Sequence, residues 1–138
     1  MKKILLLFIL IIFTKMFGYG QMDKTESDIR SYFSTNYISD GQIYRVMLNQ
    51  DETGEFQATF FSNIRYRLAF KSTLDGNNKV IYRLLDSDRN VIFSNNNFDN
   101  SPYWDFQFSN TMHCIIEVEI APGNNTSAIV LMMIGYRQ

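Results

Sequence analysis

The feature that most constrains the fold is a period-two alternation of apolar and polar residues over residues 101–120. Two runs are separated by a polar turn, and the apolar residues of one parity are Trp104, Phe106 and Phe108 before it and Cys114, Ile116, Val118 and Ile120 after it. Successive side chains of a strand point to opposite faces, so each run predicts a strand with one apolar and one mostly solvated face. Two such strands joined by a short polar turn predict a β-hairpin.

Residues 1–20 have the pattern of a secretory signal peptide. Lys2 and Lys3 precede an unbroken apolar run over residues 4–13, and the segment ends in small residues, so we expect cleavage after Gly20. The run is shorter than the roughly 20 apolar residues that span a bilayer, which predicts no transmembrane anchor in the mature chain. The lipoprotein pattern is also missing, because no cysteine follows the small residues. The chain is therefore predicted to be secreted, in the periplasm or outside the cell.

The mature chain has a mildly acidic balance. Removing the three lysines of the signal peptide leaves ten basic and fourteen acidic side chains, a net charge of -4. This balance argues against a nucleic-acid partner, which normally requires a basic patch. The single Cys114 cannot form an internal disulfide, so the fold must rest on packing, which the Phe and Tyr residues of the mature chain can supply.

Residues 21–40 contain the one helical period of the chain. Ile29, Tyr32, Phe33 and Tyr37 fall on one face of a helix. The segment is short and rich in aromatic residues. We therefore expect a short N-terminal helix that docks on the rest of the fold, with an extended arm as the alternative.

Residues 41–138 read as strand after strand, with turns rich in Asp, Asn and Gly at near-regular spacing. About eight short strands without helical crossovers predict an antiparallel sandwich or barrel. We expect a single all-β, jelly-roll-like sandwich domain, because no linker or repeat indicates a second domain.

The order and pattern of the predicted strands from Glu55 to Arg137 resemble those of the small jelly-roll sandwiches of the bacterial pre-peptidase C-terminal type and, more distantly, of GOLD domains. In these families a strand of the form seen here over residues 80–86 is followed by a turn, a short strand, an aromatic strand, a penultimate strand and a closing strand. Their penultimate strand usually starts with a Gly-Thr-Tyr-like segment, where this chain has residues 110–113, Asn-Thr-Met-His. The whole chain is also similar to small, uncharacterised secreted proteins of Bacteroidetes, a likeness that implies no activity.

One turn has the spacing of a metal site. Asp86, Asp88 and Asn90 match the first three ligands of a calcium loop, but the glycine and the glutamate expected further along are absent. We favour an ordinary β-turn, since Asp and Asn hydrogen-bond their own backbone there. A calcium site completed by Asp99 or Asn100 is the alternative, and no other cofactor is predicted.

Charged stripes are the second candidate for binding. Arg65, Arg67 and Lys71 share the outer face of one predicted strand, and Glu117 and Glu119 share that of another. Solvated faces are the default for such residues, with cross-strand pairs where the strands are neighbours. A patch for an anionic ligand is the alternative interpretation.

Aromatic residues beside a predicted Asn-rich loop over residues 95–100 are the third candidate. Parity assigns Trp104 to the core and Tyr103 to the surface, where a flat ring could stack on a sugar. Tyr103, Arg65 and Arg67 are thus the predicted ligand-binding residues.

No catalytic residue is predicted. His113 and Cys114 are adjacent, so in a strand they point to opposite faces and cannot form a dyad. Zinc requires more nitrogen and sulfur ligands than the chain offers.

Two functions remain from different classes, with a third that the sequence cannot separate from the first. The first is a non-catalytic secreted module that binds a protein, glycan or envelope component through its loops. The second is a small secreted hydrolase using two of the loop carboxylates Asp86, Asp88, Asp99 and Asp105, which would have to converge in one pocket. The third is an envelope-stability protein without a small ligand.

Overall fold

The computed structural model describes residues 20–33, 36–76, 79–124 and 126–137. A helix, α1, covers residues 20–31, and a short 3-10 helix covers Asn95–Phe98. The nine strands are β1 (Ile38–Ser39), β2 (Tyr44–Leu48), β3 (Thr53–Phe60), β4 (Arg65–Ser72), β5 (Val80–Leu85), β6 (Val91–Ser94), β7 (Tyr103–Gln107), β8 (Met112–Ile120) and β9 (Ala128–Arg137). Apart from Gly20, the predicted signal peptide lies outside the described residues.

The strands form two antiparallel sheets. Sheet A has the order β1-β9-β4-β7, with β2 beside β1 on the same side of β9, and sheet B has the order β3-β8-β5-β6. With β1 and β2 counted as one interrupted strand, the pairs are nested: β2 with β9, β3 with β8, β4 with β7 and β5 with β6. This is the topology of a jelly roll. The predicted all-β, jelly-roll-like sandwich is confirmed, and the described residues contain nine strands where about eight were expected.

The predicted hairpin over residues 101–120 is wrong, although both of its strands exist. β7 pairs with β4 in sheet A, whereas β8 pairs with β3 and β5 in sheet B. Residues 108–111 therefore cross from one sheet to the other instead of closing a hairpin. Nested pairing places consecutive strands in different sheets, and β5 with β6 is the one consecutive pair that bonds among the described strands.

The core lies between the two sheets and follows the predicted parities. Its largest fully buried side chains include Phe60, Phe70 and Tyr82. Cys114 is buried and His113 is exposed, as their parity predicts. Trp104 also faces inward but is only partly buried, packed against Phe93 and Phe98 at the side where β6 and β7 are the edge strands. The expectation that Trp104 is buried is therefore met only in part.

Helix α1 covers the outer face of sheet A, as predicted for a docking helix. A second apolar cluster contains Ile29 of α1 with Ala69, Leu131 and Met133 of the sheet, all buried. This third layer explains why β9 is apolar on both of its faces. At Gly135 the ring of Phe33 lies so close that an added Cβ would be 2.6 Å from it.

The outer face of sheet B is charged, and no helix among the described residues covers it. Arg83 pairs with Glu117 and Glu119, at 3.2 and 2.9 Å, and Arg89 pairs with Glu117 and Glu55, at 2.7 and 2.5 Å. The predicted acidic stripe on β8 thus has cross-strand partners, supplied by β5 and the β5–β6 turn. No helix in the described part of the chain is long and apolar enough to cross a membrane.

Candidate functional site

A groove opens at the edge of the sandwich where β3 of sheet B faces β2 and β9 of sheet A. The two sheets meet closely at Gly54 of β3, where an added Cβ would be 3.2 Å from Val46 and 3.3 Å from Leu48, both on β2 of sheet A. Beyond Gly54 the sheets diverge and leave a space of about 410 Å³, which we call the edge groove. The residues that line it are Asp40, Tyr44, Phe56, Gln57, Ala58, Thr59, Met132, Ile134 and Tyr136.

The edge groove is mostly apolar. Tyr44 is 38% exposed and its ring packs edge-on against Phe56, with 6.2 Å between centroids. Asp40 carries the only charge among the lining residues, and its Oδ1 accepts a hydrogen bond from the backbone N–H of Gln42. An aromatic, charge-poor concave surface of this kind is typical of the centre of a protein interface.

A second concave surface lies on the other face of β3. This outer hollow has a volume of about 360 Å³ and is lined by Gln57, Ala58, Thr59, Ser87, His113, Cys114 and Ile115. Its side chains are mostly polar, and Thr59 Oγ1 lies 2.8 Å from His113 Nδ1. Gln57, Ala58 and Thr59 line both concavities. The terminal strand of sheet B therefore runs between an apolar groove and a polar hollow.

Neither concavity was predicted from the sequence. Tyr44 and Phe56 lie on the apolar parity of their strands, and parity assigns such residues to the core. The gap between two sheets at an open edge depends on how the sheets diverge, which the pattern of a single strand does not record. β3 borders both concavities because it is the terminal one of the described strands of sheet B. The order of strands in the sheets could not be predicted from the sequence either.

The structure brings two of the three predicted ligand-binding residues together, on the outer face of sheet A. The Arg67 guanidinium lies 4.4 Å from the ring centroids of both Tyr103 and Tyr37. It also forms a two-point ion pair with Asp105, with Nε–Oδ1 at 2.6 Å and Nη2–Oδ2 at 2.8 Å, and donates to the backbone carbonyl of Tyr32 at 2.6 Å. Arg65 is exposed and lies in register with Gln107 and Arg137, and its charge lowers the pKa of both Asp105 and Tyr37 from beside the cluster. A ligand at these residues stays a prediction.

These contacts correct the prediction of a solvated basic stripe on β4. The side chains of Arg67 and Lys71 are only 15% and 13% exposed, because α1 and the chain after it cover this face. Burial alone would raise the pKa of the Asp105 carboxyl, but hydrogen bonds from Arg67 and Tyr37 outweigh burial and hold the pKa below its ordinary value. Burial of the Tyr37 hydroxyl, together with its hydrogen bond to Asp105, raises the pKa of Tyr37. The cluster is thus a closed set of contacts that ties the segment after α1 to sheet A.

The candidate calcium residues lie in the turn between β5 and β6. Asp86 Oδ1 accepts the backbone N–H groups of Asp88 and Asn90, at 2.9 and 2.8 Å, and its Oδ2 accepts the Asn90 side-chain amide at 2.9 Å. These bonds lower the pKa of the Asp86 carboxyl, the Asn90 side chain contributing most. In the described residues no group of three or more His, Cys, Asp or Glu side chains could hold a metal ion.

The alternative calcium site, completed by Asp99 or Asn100, does not fit the fold. The β5–β6 turn follows Leu85, which pairs with Ile115 near the start of β8. Residues 99 and 100 instead follow the 3-10 helix, whose Asn95 bonds Val80 at the other end of β5. The two segments therefore lie at opposite ends of the sandwich. A calcium ion held by Asp86, Asp88 and Asn90 remains a prediction.

The carboxylates of the hydrolase hypothesis lie in three separate places. Asp86 and Asp88 share the β5–β6 turn, Asp99 lies at the opposite end of the sandwich, and Asp105 is paired with Arg67 on the outer face of sheet A. None of the four carboxylates is among the residues that line the edge groove or the outer hollow, although Ser87 of the β5–β6 turn borders the hollow. Nor is Cys114 activated, because burial raises the pKa of its thiol to about 11.

Comparison with known proteins gives a likeness of fold. No protein-family model and no curated protein sequence matches the chain. Among solved structures, it is similar to the crystal structure of Aeromonas hydrophila PliG, a periplasmic lysozyme inhibitor of g-type lysozyme, with a TM-score of 0.54 and 9% sequence identity. The match covers 76% of this chain and 91% of PliG. The chain therefore shares its β-sandwich fold with a periplasmic inhibitor protein.

Proposed function

We propose that the chain is a secreted, non-catalytic module that binds a protein of the bacterial envelope or its surroundings. The observation that carries this proposal is the edge groove, which is lined by Tyr44, Phe56, Met132, Ile134 and Tyr136 and contains a single charge. Aromatic residues and methionine are enriched at the centres of protein interfaces and charged residues are depleted there. An apolar concave surface of this size at a sheet edge is most simply explained by a protein that covers it.

Two further observations support the proposal. The loop carboxylates that a hydrolase would need are dispersed over the fold, so binding fits the surface better than chemistry does. The fold is shared with PliG, a lysozyme inhibitor, which makes an enzyme of the g-type lysozyme class the first partner to test. A periplasmic or extracellular location follows from the predicted signal peptide.

The direct test is a titration of residues 21–138 with a g-type lysozyme, followed by calorimetry and by the clearing of a peptidoglycan suspension. We expect saturable one-to-one binding and a matching loss of lysis, while a lysozyme of another type serves as the control. Binding without loss of lysis would keep a protein partner and exclude inhibition. No binding would exclude this class of partner.

A second experiment tests the broader proposal independently of lysozyme. A photo-crosslinking amino acid is placed at position 44 in the groove and, for comparison, at the exposed position 96 in the 3-10 helix. In the cells that make the protein, we expect protein adducts specific to position 44, each then verified with the purified partner. Adducts formed only with glycan or lipid would overturn a protein-binding function.

A further inference from the structure

β3 has an outer edge at which sheet B could accept a further strand. It is eight residues long and, among the described strands, is the terminal one in the order β3-β8-β5-β6. Long edge strands are usually blunted by proline, by bulges or by free charges, because their outer backbone groups can template another strand. β3 contains no proline, its register with β8 is unbroken from Thr53 to Phe60, and its one charge, Glu55, is tied to Arg89.

The space beside this edge suits a strand. Gln57, Ala58 and Thr59 are flanked by the apolar edge groove on one face and by the polar outer hollow on the other. Side chains of an added strand alternate between the two faces of the sheet. One set would therefore enter the groove beside Tyr44 and Phe56, and the other set would lie on the outer face of the sheet beside Gln57 and Thr59, at the rim of the hollow.

We infer that the free edge of β3 is a docking site for an extended segment of a protein partner, which adds to sheet B as a fifth strand. This inference rests on the proposed protein-binding function and names the surface and the form of the partner. Main-chain hydrogen bonds would give affinity, and the two unlike concavities would give register and selectivity. The expected segment alternates apolar with polar side chains.

Charge narrows the chemistry of the segment further. Asp40 is the one charged residue of the groove, and its Oδ1 already bonds the chain at Gln42. The outer hollow has no Lys, Arg, Asp or Glu among its lining residues. A basic side chain at the Asp40 end of the segment is therefore favoured and an acidic one is not.

A second copy of this chain fits the site less well. In a second copy the inward side chains of β3, such as Phe56 and Phe60, already pack in that copy's own core. They would leave the edge groove unfilled. The one charged residue that β3 of the second copy would bring, Glu55, is acidic and would not complement Asp40.

The probe is a synthetic eight-residue peptide that alternates valine with threonine and lysine. Its control is the same peptide with methylated backbone nitrogens at alternate positions, which removes donors to the β3 edge and leaves the side chains in place. We expect the unmodified peptide to bind and to slow hydrogen exchange at alternate amides of residues 53–60, measured by two-dimensional NMR. Methylation should weaken binding by about tenfold or more, the value of one or two lost hydrogen bonds.

Matched variants locate the peptide. Tyr44→Ala should weaken binding by about tenfold, whereas Ile92→Ala, which is 41% exposed on β6 at the opposite edge of sheet B, should not. Asp40→Asn keeps the acceptor for Gln42 and should cost about two- to fivefold at low salt. Asp51→Asn, in the β2–β3 turn beyond the closed end of the groove, should change nothing.

Several outcomes would overturn the inference. The first three are no binding of the unmodified peptide, equal binding of both peptides, and binding without protection of the β3 amides. The fourth is a dimeric mass in solution together with β3 amides that are protected without any peptide, which would show that a second copy occupies the edge. If a cross-linked native partner binds but leaves the β3 amides unprotected, strand addition is overturned and the proposed protein-binding function still holds. Absence of any protein partner would end the proposed function itself.

Discussion

The guanidinium of Arg67 and the carboxylate of Asp105 meet side by side on neighbouring strands, with Nε–Oδ1 at 2.6 Å and Nη2–Oδ2 at 2.8 Å. Tyr37 and Tyr103 both lie against the guanidinium. A two-point pair of this geometry is among the stronger charge-assisted contacts in proteins. The contribution of this pair to the free energy of unfolding therefore depends on the ionisation of the Asp105 carboxyl.

The first prediction concerns acid pH. Because the pKa of Asp105 is lower in the folded chain than its ordinary value of 3.8, its contribution to stability is present above that value and is lost as pH falls through the folded pKa. Asp105→Asn should therefore flatten the decline in urea midpoint between about pH 5 and pH 2. An unchanged pH profile in the variant would show that the pair contributes nothing to folding.

The second prediction concerns Asn95, which is fully buried at the start of the 3-10 helix. Its Oδ1 accepts the backbone N–H of Tyr82 at 2.9 Å, and its Nδ2 donates to the carbonyl of Val80 at 2.9 Å. Asn95→Ala should cost about 2–4 kcal/mol, since it leaves both backbone groups unpaired in the interior. Asn96→Ala, at an exposed neighbouring position, is the control and should lie near zero.

The third prediction concerns the hydroxyl of Tyr82. The side chain is 1% exposed, its ring stacks on Phe70, and its Oη is a buried atom without a hydrogen-bond partner among the described residues. Burial raises the pKa of this hydroxyl well above its ordinary range. Tyr82→Phe should stabilise the chain by about 1 kcal/mol, because it removes a desolvated polar group and keeps the ring. A loss of stability in denaturant melts would instead indicate a bound water.

The fourth prediction concerns the contact between α1 and sheet A. Gly135→Ala would place a Cβ 2.6 Å from the Phe33 ring, which should cost about 1–3 kcal/mol. With Phe33→Leu in the background, the same change should cost less, which a double-mutant cycle measures. Additive costs would show that the ring moves away freely.

The fifth prediction concerns Cys114. Burial raises the pKa of its thiol to about 11, so at neutral pH almost none of it is the reactive thiolate. Native protein should label with a thiol reagent about a hundredfold more slowly than unfolded protein. Cys114→Ala should be mildly destabilising. Rapid labelling of the native chain would contradict the buried position.

Strand positions could be predicted from residue parity, but strand partners could not. The alternation around Trp104 and around Ile116 located β7 and β8. Parity holds no information about which strands bond, and for this reason the hairpin was wrong. The helical period predicted α1 only in part, because Ile29 lies in the helix whereas Tyr32, Phe33 and Tyr37 follow its end at residue 31.

The candidate site was less predictable than the fold. The groove at Tyr44 and Phe56 arises from divergence of two sheets beyond Gly54, a property of packing at long range. Asn95 was counted with a polar loop, although its amide substitutes for a neighbouring strand along β5. In both cases the decisive contact joins residues far apart in sequence, and no local pattern signals it.

The position of β9 has a consequence for the order in which the molecule assembles. β9 is the last of the described strands in sequence, yet β1, β2 and β4 all bond to it. Until β9 leaves the ribosome, β1 and β2 have no partner and β4 has only β7. Closing such distant pairings is slow, commonly milliseconds to seconds for all-β chains. Sheet A is therefore completed only after synthesis has reached β9, and the nascent chain remains without a finished sandwich until then.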